Sequence, residues 1–492
     1  MNKLFDWNYK CFIYVIYIVI ACLFITAIPF YQGQKLIYIL FSVAFNGYLY
    51  IGFGKKAIFF ELILAVFFWL GFWLKTTIRM IFENSHFFEA VGNFNGSGVA
   101  FDQALLASSV GVLGFILASL VRRRYVFNYL VEDYEKKETQ QGILAFYRRH
   151  RTFTLFSFVC IYLIVGISNI YLGIYQRGAI PETVLPFGLN GIYKWLLLFG
   201  LASISAVIIN SELAEKKQIS WGVIMIVLVE TIVSNISLLS RGMILSVAAL
   251  TYGYYKACKC ALLKISALNV VLFVIIFSVL FLTTVYSVNY LRAGLSSRIQ
   301  LIEIWEKDEY KEAVNDVKIA NDSAAGTPLF LDRWVGIEGV MAATSSQDKG
   351  WGLWKKAWEE KFSNDKISFY DKNIILSPYR DTDFNLHHYV SLPGVIGFFL
   401  YPNSLLFLFF SMFLISLFAS SIEYMTYKYC GNNLILCSLI AEVMAFRFVH
   451  FGYAPGQTYL LFFAIIGNLL LINILNKIAT QWYKNKKVIL QK

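Results

Sequence analysis

Apolar residues recur along this chain in continuous runs of about 18–22 positions, parted by short polar connections. A run of that length, at 1.5 Å per residue, crosses a hydrocarbon core of about 30 Å as one helix. The runs are not alternating, which excludes the strands of a membrane barrel. Helices are the other way to satisfy backbone groups in lipid. The pattern predicts an all-α, polytopic transmembrane helix bundle of about twelve spans, with ten to fourteen as the range the weaker runs allow. The expected spans are 11–30, 36–53, 58–74, 104–121, 153–172, 191–210, 221–239, 243–255, 265–285, 391–420, 433–450 and 458–475. The eighth is short and weakly apolar, and the tenth is long with Pro402 inside it.

One stretch breaks the pattern. Ser287 to Val390 carries 13 of the 43 Lys/Arg and 16 of the 31 Asp/Glu. The chain therefore divides into a bundle of nine spans (1–286), a large polar loop (287–390), and three further spans with a polar tail (391–492). Three short helices are expected in the loop. One is charged, at 298–314. A second, at 331–344, carries Arg333 and Glu338. A third, at 350–362, places Trp351, Trp354 and Trp358 at i, i+3 and i+7. That spacing suits either the membrane–water interface or packing of the loop onto the bundle, and both hold the loop near the bilayer surface.

Composition agrees with a membrane protein: 58% hydrophobic, 15% charged, mean hydropathy +0.60. Charge sets the expected orientation. With both termini cytoplasmic, the inner connections hold 23 Lys/Arg and 8 Asp/Glu, a net +15, whereas the large loop is net −3. The loop is then extracytoplasmic. Topology accounts for the net +12, so no nucleic-acid partner is implied. The first run has full spanning length without a small-residue cleavage site, so it is expected to remain as a span. Segment 122–151 is dense in charge and reads as a solvated positive anchor on the inner side. None of the seven cysteines lies in the large loop, so no disulfide framework is expected there.

The candidate chemistry lies at the outer surface. Arg177 opens the loop after the fifth span, Arg241 sits in the Ser240-Arg241-Gly242 turn, and Arg292 and Arg298 follow the ninth span. Arg333, Arg380, His387 and His388 belong to the large loop, and Arg447 and His450 close the eleventh span. Arginine grips phosphate oxygens two at a time, so a group of them at headgroup depth fits a lipid-linked diphosphate. Any single one of them is equally explained by snorkelling or a helix-end ion pair. A neutral histidine can orient a hydroxyl or accept its proton. Asp381 and Asp383 form a D-x-D, a spacing common by chance and weak as a metal signal. Glu230 and Glu442 lie inside apolar runs, where ionisable residues are costly. A proton-coupled transporter would use them; alternatively Glu230 pairs with a Tyr, Asn or Lys of a neighbouring helix.

A dozen spans, cytoplasmic termini and one large outer loop late in the chain resemble the bacterial O-antigen polymerases, the Wzy-type oligosaccharide repeat-unit polymerases, which are related to the O-antigen ligases and other C-type glycosyltransferases. Arg177 and Gly188 match the Arg-to-Gly spacing described for outer loops of that family; none of Arg292, Arg298, Arg333 and Arg380 has Gly eleven positions on, so the large loop does not repeat it. The resemblance implies metal-independent glycosyl transfer without a cofactor on the periplasmic face. The donor would be a glycan on undecaprenyl diphosphate, the acceptor a lipid-linked repeat unit, with membrane lipids around both and a chain-length regulator protein as partner. In that scheme Arg241 and Arg292, then Arg177 and Arg333, hold the diphosphate, with Arg298, Arg380, Arg447 and His450 as secondary candidates. His387 or His388 serves the acceptor hydroxyl, with Glu338 in reserve. An O-antigen ligase would share these features. A polyprenyl-phosphate-sugar transferase with acidic residues in its first outer loop is disfavoured, because Tyr31–Lys35 holds no carboxylate. A lipid-linked oligosaccharide flippase or another transporter remains the reading of a different class, although no internal repeat of the transporter kind is evident.

Overall fold

The computed structural model describes residues 17–83, 85, 87, 90–125, 127–128, 141–177, 181–240, 242–261, 263, 266–304, 334–362, 367–376 and 391–490. Among these residues the chain is helical throughout and contains no strand. The long helices are α1 (Tyr17–Phe30), α2 (Lys35–Gly52), α3 (Phe59–Phe82), α4 (Gly98–Tyr125), α5 (Gln141–Leu172) and α6 (Pro186–Lys216). They continue as α7 (Trp221–Ser237), α8 (Met243–Cys260) and α9 (Ala267–Ile304). Four short helices follow: α10 (Ile337–Ser345), α11 (Trp351–Trp358), α12 (Phe369–Asn373) and α13 (Gly394–Phe399). The chain ends with α14 (Leu405–Tyr429), α15 (Leu434–Val449) and α16 (Thr458–Leu490). Eight of these helices are long and apolar enough to cross a membrane: α2 to α6, α9, α14 and α16.

The bundle is built around α15, which packs against α3, α6, α8 and α14 and is buried along nearly its whole length. Asn433 starts it by accepting from the N–H groups of Ile435 and Leu436, at 3.1 and 3.0 Å. At the periphery, α9 leans mainly on α7 and leaves most of its apolar surface outward, as a helix facing hydrocarbon does.

Buried ion pairs lock one end of the bundle. Arg122 of α4 donates Nε and Nη2 to the two carboxylate oxygens of Glu61 in α3, at 2.9 and 2.7 Å, with both side chains fully buried. Glu423 of α14 caps the start of α3 by accepting from the N–H groups of Phe59 and Phe60, at 2.9 and 2.8 Å. Glu212 of α6 accepts from Tyr147 and Arg151 of α5 and pairs with Lys216.

The opposite end receives the polar segment. There α10 is buried between α4 and α13 rather than lying on the surface. Glycine permits this depth: a Cβ on Gly339 would stand 2.1 Å from the Pro393 carbonyl, and one on Gly336 2.0 Å from that of Gly71. Gly71 sits in a widened π-helical turn of α3, Trp69–Leu74, which opens the helix where 334–336 crosses it. Just beyond that turn Lys75 forms a buried ion pair with Glu338 of α10 and donates to the Trp334 carbonyl at 3.1 Å. The helix expected at 331–344 is thus α10, seated inside the bundle.

One expectation changes here. The run 391–420 is not one span: α13 ends at Phe399 and α14 begins at Leu405. Pro402 removes an N–H and turns Tyr401 away from helix, Asn403 is left-handed at φ +60, and Ser404 caps α14. The Trp helix expected at 350–362 is α11. Trp351, though exposed, packs edge-on against Phe407, and Trp354 and Trp358 pack edge-on against Phe407, Phe398, Phe399 and Phe451.

Candidate functional site

Four chain segments meet at the end of the bundle that receives the polar segment. The first follows α5. Asn169, fully buried in the last turn of α5, donates to the carbonyls of Tyr175 and Ser237 at 2.9 and 3.0 Å and accepts from the Tyr175 N–H at 2.8 Å. This turns the chain back over the end of α7, where the Arg177 N–H donates to the Leu238 carbonyl at 2.9 Å.

The second segment is the turn between α7 and α8. Leu239 is left-handed at φ +52, and Ser240 folds back so that its N–H reaches the Asn235 carbonyl at 2.8 Å. The turn thereby exposes two acceptors to arginines from elsewhere. The Ser240 hydroxyl accepts from Arg177 Nη1 at 3.3 Å, and the Leu239 carbonyl accepts from Arg292 Nε at 3.0 Å. Arg292 arrives on the third segment, α9, and stands near enough to Arg177 for the two cations to repel.

The fourth segment is the end of α15. Glu442, Phe446 and His450 fall at i, i+4 and i+8, on one face. The Arg177 guanidinium lies over the Phe446 ring, 5.5 Å from its centre. The His450 imidazole stacks on the same ring, 4.0 Å between centres at 25°, with Nδ1 3.1 Å from the Phe446 carbonyl. Arg447 donates to the Thr458 hydroxyl at 2.8 Å and lies over Phe451. Among the described residues no carboxylate comes within ion-pairing distance of Arg177, Arg292 or Arg447. Three guanidiniums at this end are thus held by neutral acceptors and aromatic faces.

The structure therefore brings together Arg177, Arg292, Arg447 and His450 of the sequence candidates. Arg241, Arg333, Arg380, His387, His388, Asp381 and Asp383 lie outside the described residues, as does the side chain of Arg298. Glu338 is placed elsewhere, in its ion pair with Lys75. Glu230 is held by hydroxyls instead of a Tyr, Asn or Lys: Ser234 at 2.8 Å, Ser205 at 3.3 Å and Thr231 at 3.4 Å. No hydrogen-bond chain among the described residues joins Glu230 to Glu442, nor does any group of three His, Cys, Asp or Glu gather as a metal site.

Sequence reasoning missed Asn169, which shapes the Arg177 turn, and Phe446, which receives the guanidinium. The one-face spacing of Glu442, Phe446 and His450 is the signal that could have found the second. It also missed Glu360. This carboxylate accepts from the Phe369 N–H and from the Ala454 N–H at 3.1 Å, tying the polar segment to the turn between α15 and α16. Burial pushes its pKa above the ordinary carboxylate value, those two hydrogen bonds oppose the shift, and the neighbouring Asp371 adds to it.

No family model, curated protein or solved structure matches the chain.

Proposed function

We propose that the protein is an inner-membrane glycosyltransferase that joins undecaprenyl-diphosphate-linked oligosaccharide repeat units into O-antigen or a similar surface polysaccharide. The observation that carries this reading is the meeting of Arg177, Arg292 and Arg447 at one end of an apolar bundle, without carboxylate partners among the described residues. In this reading twelve helices, α1 to α9 and α14 to α16, cross the membrane, with both termini on the cytoplasmic side and the site on the periplasmic side. The short helices α10 to α13 then belong to the periplasmic loop.

In this reading the diphosphate of the growing chain lies among Arg177, Arg292 and the Arg241 turn. The arginines stabilise the negative charge that gathers on it as the glycosyl bond breaks. A hydroxyl of the incoming repeat unit attacks the anomeric carbon, and undecaprenyl diphosphate departs. His387 or His388 orients that hydroxyl or takes its proton. The membrane confines both lipid-linked substrates and aids their alignment.

Deletion of the gene, read on lipopolysaccharide gels, tests the proposal. The expected result is core carrying a single repeat unit, with the ladder restored by the intact gene. A full-length ladder in the deletion strain would refute polymerisation, and a bare core would assign the chain to ligation.

A further inference from the structure

Near the ion-paired end of the bundle, α5 and α6 leave an open groove of about 200 Å³ between them. Phe146, Phe153, Ser157, Phe158 and Ile161 of α5 line it, together with Ile204 of α6. Thr154, also in the lining, spends its hydroxyl on the His150 carbonyl at 2.9 Å, and the accessible wall is apolar. The α5 backbone departs from helix at His150 (φ −122, ψ 34). The imidazole of that residue lies 5.1 Å from the Phe146 ring, so it stands at the end of the groove where the cations gather. Arg148 pairs there with Glu215, and Arg151 with Glu212. Arg149 between them is exposed, and among the described residues no carboxylate pairs with it.

The stretch 150–161 rises about 16 Å as helix. One leaflet contributes about 15 Å to the hydrocarbon core. The groove therefore runs from a cationic rim to about the depth of a single leaflet. A free phosphate would answer Arg149 and leave the groove unfilled, whereas a neutral lipid would do the reverse. A lipid with an anionic headgroup matches both. We propose that the groove between α5 and α6 is a specific site for an anionic phospholipid, with an acyl chain along Phe153 to Ile161 and the phosphate at Arg149 and His150. In the orientation given above this lipid comes from the inner leaflet. A polyprenyl diphosphate seated at Arg177 would have its headgroup at the opposite end of the bundle. Snorkelling of Arg149 to bulk headgroups needs no groove, and that difference is what an experiment can read.

The test uses the purified full chain in detergent, titrated with phosphatidylglycerol or with phosphatidylcholine of the same acyl chains and read by native mass spectrometry. One phosphatidylglycerol is expected to stay on the wild type at concentrations where phosphatidylcholine has left. Arg149→Gln is expected to weaken phosphatidylglycerol about fivefold, the factor for one basic residue near a membrane surface, and to leave phosphatidylcholine unchanged. Ser157→Trp, which fills the groove, is expected to remove the retained lipid. Ile204→Phe narrows the groove from α6 and is the second variant should the tryptophan disturb folding, which thermal unfolding reports. Ser157→Ala leaves the groove open and is expected to bind as wild type. Equal retention of the two lipids overturns the inference. So does a preference for phosphatidylglycerol that survives folded groove-filling variants, because that is snorkelling alone. Displacement of the phospholipid by an equal concentration of undecaprenyl phosphate would also overturn it and make the groove a site for the polyprenyl tail.

Discussion

Arg292→Met separates a functional cation from a structural one. In the folded protein Arg292 is half-buried, donates one charge-assisted hydrogen bond to the Leu239 carbonyl, and faces the charge of Arg177. Losing the hydrogen bond costs about 1.5–3 kcal/mol. Losing the repulsion from Arg177 returns part of that. Methionine fills much of the same apolar path, so packing changes little. The two contributions oppose each other, and the expected loss of unfolding free energy stays below about 3 kcal/mol. Activity should respond differently, because removing one prearranged donor from developing negative charge lowers turnover by about 10²–10³. The assay pairs thermal unfolding in detergent with in vitro elongation of a lipid-linked repeat unit. Destabilisation above about 3 kcal/mol, with activity falling only as far as the folded protein does, would refute the reasoning and make Arg292 a structural residue.

Lys75→Met should destabilise the fold by about 3–5 kcal/mol, because it takes the buried cation from Glu338, whereas the double change Lys75→Met with Glu338→Leu should recover most of the loss. Thermal unfolding of the two variants decides this, and polymer made by the double variant would show that Glu338 holds α10 in place and does no chemistry. Glu360 is protonated more readily in the docked segment than in the free chain, so its contribution to docking is full below the ordinary carboxylate value and is lost as pH rises through its raised value. Limited proteolysis of 334–376 should therefore speed up from pH 5 to pH 8, and Glu360→Gln should flatten that dependence; an unchanged slope in the variant would contradict it.

Most long helices were legible because run length depends on the solvent, not on neighbours. Thus 433–450 corresponds to α15 and 221–239 to α7 within a residue or two. The run 391–420 misled because hydropathy cannot distinguish residues buried in protein from residues buried in lipid. Gly394–Phe399 is apolar because it packs on α10, not because it spans. The run 243–255 was cut short at Lys256, yet α8 continues to Cys260 with Lys256 over the Tyr252 ring. The site was legible as a set of arginines and illegible as a constellation. Nothing local in the chain tells that Arg177 lies on Phe446 or that Leu239 turns its carbonyl to Arg292. The Lys75–Glu338 pair was hidden for the same reason: it joins two segments whose contact depends on glycines at 71 and 336.

Arg177, Arg292 and Arg447 are held differently from the ion-paired cations of the bundle, and the difference bears on what they are for. A positive-inside bias places Lys and Arg at one end for topological reasons. At that end Arg122, Arg123, Arg148, Arg151 and Lys216 all stand within ion-pairing distance of Glu61, Glu212 or Glu215. For those five cations the fold supplies the counter-ions. At the other end Lys75 and Arg79 pair with Glu338 and Glu83, but Arg177, Arg292 and Arg447 are held by a serine hydroxyl, a backbone carbonyl, a threonine hydroxyl and aromatic rings. Snorkelling would direct each arginine outward to headgroups on its own. It would not place Arg177 and Arg292 on adjacent residues of one turn, close enough to repel. Gathering like charges without acidic partners is unfavourable until an anion arrives, and an arrangement that is poor for stability but suited to an anion is expected where binding sets the arrangement.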